Sequence, residues 1–132
     1  MKYYSVLYFT TLIIMSVLDC SWLMGIARGF YKNRIGTLLE FHLVPALVFY
    51  LIYIVGVIVF VSGSGIATKW QSVAIYGTFF GFVAYATYDL TNMATLRGWS
   101  WSVVIVDVAW GTFNTGFSAT CGWLIASFFK LR

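Results

Sequence analysis

The sequence contains only four acidic residues, Asp19, Glu40, Asp89 and Asp107, and each lies in a long apolar stretch. An ionisable side chain inside a membrane costs about 2.5–3.5 kcal/mol even on the more lenient insertion scale, so such residues usually face the protein interior and serve a function. A group of carboxyls could transfer protons to or from a substrate, or bind a proton or a cation. The structural alternative is that each acid pairs with a loop arginine and only anchors a helix end.

Polar and small residues recur every three or four positions around three of these acids, as on one face of a helix. One stripe consists of Thr78, Gly81, Tyr85, Asp89 and Asn92, a second of Asp107, Trp110, Gly111, Asn114, Ser118 and Cys121, and a shorter one of Met15, Asp19 and Trp22. Contacts between membrane helices use small and polar residues in the same way, which explains the glycines and serines but not the aspartates. We therefore expect the three aspartates to face the interior, in one polar network with Asn92 and Asn114.

A lone histidine and several aromatic residues complete the candidate set. His42 lies two residues after Glu40, so on a regular helix the two side chains would point about 200° apart. A single histidine is more commonly a hydrogen-bonded structural residue, but facing the carboxyls it would be the obvious proton carrier near neutral pH. The candidate ligand or proton site comprises Asp19, Trp22, Glu40, His42, Tyr85, Tyr88, Asp89, Asn92, Asp107, Trp110 and Asn114.

Crowding of the acids predicts an unusual protonation state. Several close negative charges in a poorly solvated space cannot all remain ionised, so one or more carboxyls should hold a proton unless a cation fills the site. Tyr85 and Asn92 share the stripe of Asp89, and both are able to hydrogen-bond its carboxyl. Asp89 is therefore expected to belong to a site rather than to anchor a helix.

The overall composition indicates what kind of structure must hold these residues. Of the 132 residues, 61% are hydrophobic and 9% are charged, with a mean hydropathy of +0.89. A soluble domain has about 25% charged residues, so this chain lacks the polar surface of a soluble protein and is predicted to be a membrane protein. The net charge of +4 comes from basic residues in loops and at chain ends, as is usual beside membrane helices, and does not indicate a nucleic-acid partner.

Four apolar runs are long enough to cross a membrane, at about residues 4–27, 38–61, 71–96 and 100–129, because a spanning helix needs about 20 residues. They predict an all-α polytopic membrane protein with four transmembrane helices in a single domain, residues 1–132. The connecting segments, such as "ARGFYKNRIG", contain helix breakers. Pro45 lies inside the second run, where it should remove a backbone hydrogen bond and kink the helix. The first run is too long for a signal-peptide core and no cleavage site follows it, so we expect it to be retained.

Alternation of the helix directions places all four acids towards one membrane face, roughly 4–12 Å inside their helix ends, and both termini at the opposite face. The basic residues divide equally between the faces, with Lys2, Lys69, Lys130 and Arg132 on one and Arg28, Lys32, Arg34 and Arg97 on the other. The positive-inside rule therefore gives no orientation, and a protein of dual topology would show the same tie.

A faint internal repeat relates the two halves of the chain. The first half contains "DCSWLMGIARGF" and the second "DLTNMATLRGW", and both Asp19 and Asp107 begin an Asp-x-x-Trp pattern. The repeat predicts two tandem helical hairpins that are related by an axis along the membrane normal.

Several common sites are not indicated by the sequence. There is no Cys/His cluster and no paired Glu-x-x-His motif, so no metal site is predicted. Cys20 and Cys121 lie at different depths of the predicted helices and should not form a disulfide. A C-x-x-C motif, a glycine-rich phosphate loop and a nucleophile elbow are also missing. The cofactor, if there is one, stays open.

Three segments, "LDCSWLMG", "YDLTNMATLRGW" and "DVAWG", together resemble a bacterial membrane-protein family known as domain of unknown function twenty-one seventy-seven, or DUF2177. The resemblance covers nearly the whole chain and implies a four-helix protein of the bacterial inner membrane without an established activity. Genes of the family often neighbour genes for fatty-acid modification, including cyclopropane-synthase-like enzymes, which implies an association with lipids. The positions that carry the resemblance are Asp19, Trp22, Tyr88, Asp89, Thr91, Asn92, Asp107, Trp110 and Gly111.

Two functional hypotheses follow, beside a purely structural or accessory role. In the first, the carboxyls form a membrane-embedded site near headgroup level that binds or acts on a lipid or small amphiphile by acid–base chemistry. In the second, they are the proton or cation site of a small transporter that works as a homodimer. The one-sided depth of the acids favours the first, because transporter sites usually lie near the bilayer midplane. A fixed membrane orientation would weaken an antiparallel dimer.

Overall fold

The computed structural model of the chain describes residues 2–36 and 42–129. Within these residues there are helices and no strands, which confirms the predicted all-α class. The helices are α1 (Lys2–Ser21), α2 (Arg28–Ile35), α3 (Leu43–Val57), α4 (Trp70–Thr95) and α5 (Trp101–Phe128). Two of them, α1 and α3, continue into five-residue π-helical turns at Trp22–Ile26 and Ile58–Ser62.

Two helical segments of the described chain are long and apolar enough to cross a membrane, judged by length and composition: Lys2–Gly25 and Leu43–Ser62. The other two long helices, α4 and α5, have 26 and 28 residues. Their polar residues and glycines make them less apolar, although their length exceeds the roughly 20 residues that a spanning helix needs.

Contacts at the two ends of the molecule show that the four long helices alternate in direction. At one end, Asp19 near the end of α1 contacts Tyr50 of α3 and Trp110 of α5. At the other end, Leu7 near the start of α1 packs with Ala126 near the end of α5, and Ile58, just after α3, packs against them. Helix α4 runs antiparallel to α5, because Gly77 faces Ala119 whereas Tyr85 faces Gly111. The three described aspartates therefore lie at one end, which we call the acidic end. Glu40 lies outside the described residues.

Glycines allow α4 and α5 to pack closely along their length. A Cβ atom added at Gly81 would lie 2.6 Å from the Cβ of Thr115 and 2.7 Å from the carbonyl oxygen of Gly111. Gly111 in turn lies directly against the ring of Tyr85. Such small-residue contacts are typical of membrane helices, where close backbone approach provides much of the packing. They account for several of the small residues in the polar stripes.

The segment "ARGFYKNRIG", predicted as a loop with helix breakers, contains helix α2 instead. Tyr31 and Ile35 are one turn apart and buried, and they pack with Val103 of α5. Lys32 and Arg34 on the opposite side are exposed. An apolar pair at i and i+4 is enough to hold a short amphipathic helix against a larger surface, and this pairing outweighed the high polarity of the segment.

The prediction that Pro45 kinks its helix is wrong, because Pro45 lies in the first turn of α3 and interrupts no hydrogen bond of the helix. Helix α3 begins at Leu43, and its first backbone hydrogen bond runs from the Ala46 N–H to the carbonyl of His42. Pro45 is thus in the first turn, where an N–H would have no acceptor within the helix in any case. Residues 38–41, which the prediction placed in this helix, lie outside the described residues.

The loop between α4 and α5 directs one tryptophan towards the acidic end. Gly98 has a φ of 87°, a conformation that glycine adopts without steric cost. The next residue, Trp99, packs against the cluster formed by Ala27, Tyr31, Ile35 and Val103. Ser100 then starts α5 by accepting a hydrogen bond from the Ser102 N–H at 3.1 Å.

Candidate functional site

Asp19, on the last turn of α1, is the most extensively hydrogen-bonded acid of the described chain. Its Oδ1 atom accepts hydrogen bonds from Trp110 Nε1 at 2.7 Å and from Asn114 Nδ2 at 3.0 Å. Its Oδ2 atom accepts one from the Tyr50 hydroxyl. Asn114 is held in turn by Ser118, whose hydroxyl donates to Asn114 Oδ1 at 2.9 Å. One carboxyl therefore joins α1 to α3 and α5.

Asp107, on the second turn of α5, takes part in a separate network. The Tyr31 hydroxyl donates to Asp107 Oδ1 at 3.0 Å and accepts a hydrogen bond from Trp22 Nε1 at 3.3 Å. Burial, and then the Asp107 carboxylate, raises the pKa of the Tyr31 hydroxyl. Tyr31 therefore keeps its proton at physiological pH and acts as a donor to Asp107.

The two networks meet at a pair of stacked tryptophans. The rings of Trp22 and Trp110 are parallel within 6°, with centroids 4.4 Å apart. Trp110 donates to Asp19, whereas Trp22 reaches Asp107 through Tyr31. Each tryptophan of the Asp-x-x-Trp pattern is thus linked to the aspartate of the other half. The tandem-hairpin arrangement itself stays a prediction.

Asp89 differs from the other two described aspartates because its side chain is fully buried and neither carboxyl oxygen has a hydrogen-bond partner among the described residues. The carboxyl nevertheless lies close enough to the Asp107 carboxyl and to the Trp99 indole N–H to interact with both, although neither contact has ordinary hydrogen-bond geometry. The expected hydrogen bonds from Tyr85 and Asn92 are not formed. The Tyr85 ring packs on Gly111 instead, and Asn92 interacts with Tyr88.

A cavity of about 490 Å³ lies at the acidic end between the four long helices. This volume is within the usual range of about 300–1,000 Å³ for small-molecule sites. Its lining consists of Asp19, Trp22, Leu23, Pro45, Ala46, Phe49, Tyr50, Ala84, Tyr85, Tyr88, Asp107 and Trp110. Among the described residues, the charged members of this lining are two aspartates, and most of the others are aromatic.

A smaller cavity of about 250 Å³ adjoins the first one. The two share Leu23, Tyr88 and Asp107, and the smaller one is also lined by Arg28, Tyr31, Ile35, Trp99 and Val103. In the described part of the chain its charged residues are Arg28 and Asp107. The larger cavity is acidic and the smaller one has both signs of charge.

The donor atoms around these cavities do not form an evident metal site. In the part of the chain that the structure describes, no three His, Cys, Asp or Glu side chains are grouped so as to hold a metal ion. Both oxygens of Asp19 are already hydrogen-bonded to protein donors. Cys20 and Cys121 are free thiols.

The family model described as "Predicted membrane protein (DUF2177)" matches residues 4–124. The chain belongs to the DUF2177 family. This membership confirms the resemblance seen in the sequence, and together with the two helices of spanning length it supports a membrane protein. No curated protein and no solved structure matches the chain. DUF2177 membership thus supplies a class of protein but no activity.

In this DUF2177 protein, the predicted site residues occupy different positions relative to the larger cavity. Those that line it are Asp19, Trp22, Tyr85, Tyr88, Asp107 and Trp110. Asn114 is buried behind Asp19, and Asn92 is half-buried beside Tyr88. His42 is exposed at the start of α3 and is not part of this lining. Asp89 is buried next to Asp107, and Glu40 lies outside the described residues.

Sequence reasoning missed two tyrosines that hold the carboxyls. Tyr50 lies on α3 in a mostly apolar sequence, where its hydroxyl needs a hydrogen-bond partner. That need was the signal in the sequence that could have found it. Tyr31 lies in a segment predicted as a loop. Its i, i+4 pairing with Ile35 was the signal for a helix that faces the protein.

Proposed function

We propose that the protein is a multi-pass protein of the bacterial inner membrane, with α1, α3, α4 and α5 as four transmembrane helices. We further propose that its larger cavity binds a membrane lipid or small amphiphile and supports acid–base chemistry on it. One observation carries the binding proposal: aspartates from two different helices meet in a single aromatic cavity near one end of the helices.

Exposed apolar side chains on all four long helices support the spanning arrangement. Each helix presents large hydrophobic residues outwards, as illustrated by Phe9 on α1, Ile52 on α3, Phe79 on α4 and Ile105 on α5, each about 60% exposed or more. A soluble protein rarely exposes apolar surface on every face, whereas contact with lipid requires it. The polar interiors of α4 and α5 are then covered by their neighbours rather than by water.

A labelling experiment separates four spans from two. Single cysteines at positions 2, 65 and 97, in a background with Cys20→Ser and Cys121→Ser, should react with an impermeant maleimide from two different sides. With four spans, Lys2→Cys and Gly65→Cys react from one side and Arg97→Cys from the other. If only α1 and α3 cross the membrane, Gly65→Cys and Arg97→Cys will react from the same side, and the four-span arrangement is wrong.

The two carboxyls in the cavity are suited to different roles. Asp19 is fixed by three donors on two other helices, which occupy three of its roughly four lone-pair positions, so it mainly provides charge and position. Asp107 is half-buried and, among the described residues, accepts a hydrogen bond from one phenol, that of Tyr31. It is therefore the better candidate for proton transfer to or from a bound molecule.

One observation favours the alternative of a proton- or cation-coupled transporter acting as a dimer. Asp89 is a fully buried carboxyl without a hydrogen-bond partner in the described residues, beside a second carboxyl. Intramembrane acids of this kind often belong to proton relays. Asp89 does not line either of the two cavities at the acidic end, however, so a lipid or amphiphile site remains the better account of the larger cavity.

Filling the cavity tests the proposed function. Ala84 lines the cavity on α4, so Ala84→Phe should fill part of it and reduce the amount of a specific co-purifying amphiphile by about tenfold, the effect of losing about 1.4 kcal/mol of binding free energy. Asp107→Asn should have a similar effect. Bound lipids are extracted from the purified protein and quantified by mass spectrometry.

Ala94→Phe is the matched control because Ala94 lies on the same helix but is exposed and outside the cavity. It should leave the bound amphiphile unchanged. The proposal is wrong if folded Ala84→Phe and Asp107→Asn proteins carry the same lipids, in the same amounts, as the unmodified protein. A proton flux in proteoliposomes that depends on Asp89 would then favour the transporter.

A further inference from the structure

The larger cavity is surrounded by aromatic rings from all four long helices or their continuations. These rings belong to Trp22, Phe49, Tyr50, Tyr85, Tyr88 and Trp110. An aromatic ring has a negative face, which attracts an organic cation within about 6 Å of its centre. Rings arranged around a common space are the usual way in which proteins hold an ammonium group that carries alkyl substituents.

The charged groups of the lining also favour a cation. Asp19 and Asp107 line the cavity, and within residues 2–36 and 42–129 no lysine, arginine or histidine does. Asp19 accepts three hydrogen bonds, as an acceptor-only carboxylate does. An anionic headgroup would be repelled here, and a neutral hydrocarbon would leave the carboxyls uncompensated.

The same lining is poorly suited to a bare metal ion. Hard cations need about six oxygen ligands, whereas Asp19 already uses both oxygens for protein donors and most of the wall is carbon. An organic cation needs few direct ligands, because it is stabilised by ring faces and by carboxylates at van der Waals distance.

We propose that the ligand of the larger cavity carries an alkylated ammonium group, which is held between the aromatic rings and balanced by Asp19 and Asp107. This inference rests on the proposed function and specifies the chemical class of its ligand. The ammonium group could belong to a membrane lipid or to a smaller soluble amine, and both share this chemistry.

The smaller cavity distinguishes these two sources. It adjoins the larger one through Asp107 and Tyr88 and is also lined by Arg28. A guanidinium group is well suited to a phosphate. A zwitterionic lipid headgroup would therefore place its ammonium in the larger cavity and its phosphate beside Arg28, whereas a simple amine would not involve Arg28.

Binding of matched probes tests the inference on purified protein in neutral maltoside micelles. The probes are octyltrimethylammonium, its uncharged analogue with carbon in place of nitrogen, and tetramethylammonium, each titrated by microscale thermophoresis. Octyltrimethylammonium should bind at least about tenfold more tightly than the uncharged analogue. Asp107→Asn and Trp110→Phe should each weaken its binding by about tenfold or more. Trp101→Phe is the control, since Trp101 is exposed and outside the cavity.

A second comparison identifies the source of the ammonium group. A short-chain phosphatidylcholine that loses affinity in Arg28→Gln, while octyltrimethylammonium does not, indicates a lipid headgroup. Tight binding of tetramethylammonium with no effect of Arg28→Gln indicates a soluble amine.

The possible failures are distinguishable from each other. If the uncharged analogue binds as tightly as the cation and Ala84→Phe abolishes both, the amphiphile site is correct and the ammonium specificity is wrong. If no probe binds the unmodified protein and Ala84→Phe leaves its co-purifying lipids unchanged, both the inference and the proposed function are wrong.

Discussion

Replacing Asp19 with alanine should lower the free energy of unfolding by about 3 kcal/mol or more. The carboxyl accepts hydrogen bonds from Tyr50, Trp110 and Asn114, and the Asp19 side chain is only 6% exposed. Without it, the buried Asn114 amide and the half-buried Tyr50 and Trp110 donors lose their acceptor, and each unsatisfied buried group costs about 1–3 kcal/mol. Thermal unfolding in detergent micelles, followed by far-ultraviolet circular dichroism, measures the loss.

Two further variants separate the hydrogen bonds from other effects of the substitution. Asp19→Asn keeps one oxygen for Trp110 and Asn114 and presents its amide to the Tyr50 hydroxyl, which is able to accept, so it should cost less than alanine. Asp107→Ala removes a carboxyl with a single described donor, Tyr31, and should cost only about 1 kcal/mol. Equal losses for Asp19→Ala and Asp107→Ala would contradict the central structural role of Asp19.

Much of the helical architecture could be predicted because it depends on composition. A chain with 61% hydrophobic residues satisfies its backbone in lipid most simply as helices, and the all-α class follows. The alternation of long helices also predicts that Asp19, Asp89 and Asp107 lie at the same end, where the structure has them. Whether α4 and α5 cross a membrane stays a prediction, because length alone does not decide it.

Predictions of local structure were wrong where a few specific contacts decide the conformation. Helix α2 depends on Tyr31 and Ile35 packing against Val103, a partner distant in sequence. The role of Pro45 depended on where α3 begins, and a shift of a few residues moves a proline from the helix interior, where it is costly, to the first turn, where it is harmless. Hydropathy patterns do not fix a helix start that closely.

In the site, too, the sequence predicted which face of a helix a residue lies on, but not which residue it contacts. Helical spacing places Trp110 and Asn114 on one face of α5, and both indeed contact Asp19. Spacing also places Tyr85 and Asn92 on the face of Asp89, yet neither bonds to it. Residues on one stripe are separated along the helix axis, and the neighbouring helix decides which way each side chain turns. Because Gly111 has no side chain, the Tyr85 ring packs against it. In that position Tyr85 does not hydrogen-bond the Asp89 carboxyl.

Asp89→Asn should have the opposite effect on stability from changes at Asp19. The Asp89 carboxyl is fully buried beside the Asp107 carboxyl and the Trp99 indole, and its contacts with both fall short of ordinary hydrogen-bond geometry. An asparagine of nearly the same shape could donate its amide to Asp107 and accept from Trp99 Nε1. The variant should therefore raise the free energy of unfolding by about 1–2 kcal/mol, measured by the same thermal unfolding.

Arg97→Gln is the comparison that decides between a site and a helix anchor. Arg97 is exposed in the loop after α4, and if it paired with Asp89, Asp89→Asn and Arg97→Gln would lower the stability by similar amounts. We expect Arg97→Gln to change the stability by less than about 0.5 kcal/mol, as is usual for exposed residues. A buried polar group that destabilises its own fold persists most readily where it serves a function. A gain in stability in Asp89→Asn accompanied by loss of ligand binding or proton flux would assign Asp89 to the functional site, whereas a loss matched by Arg97→Gln would make it an anchor.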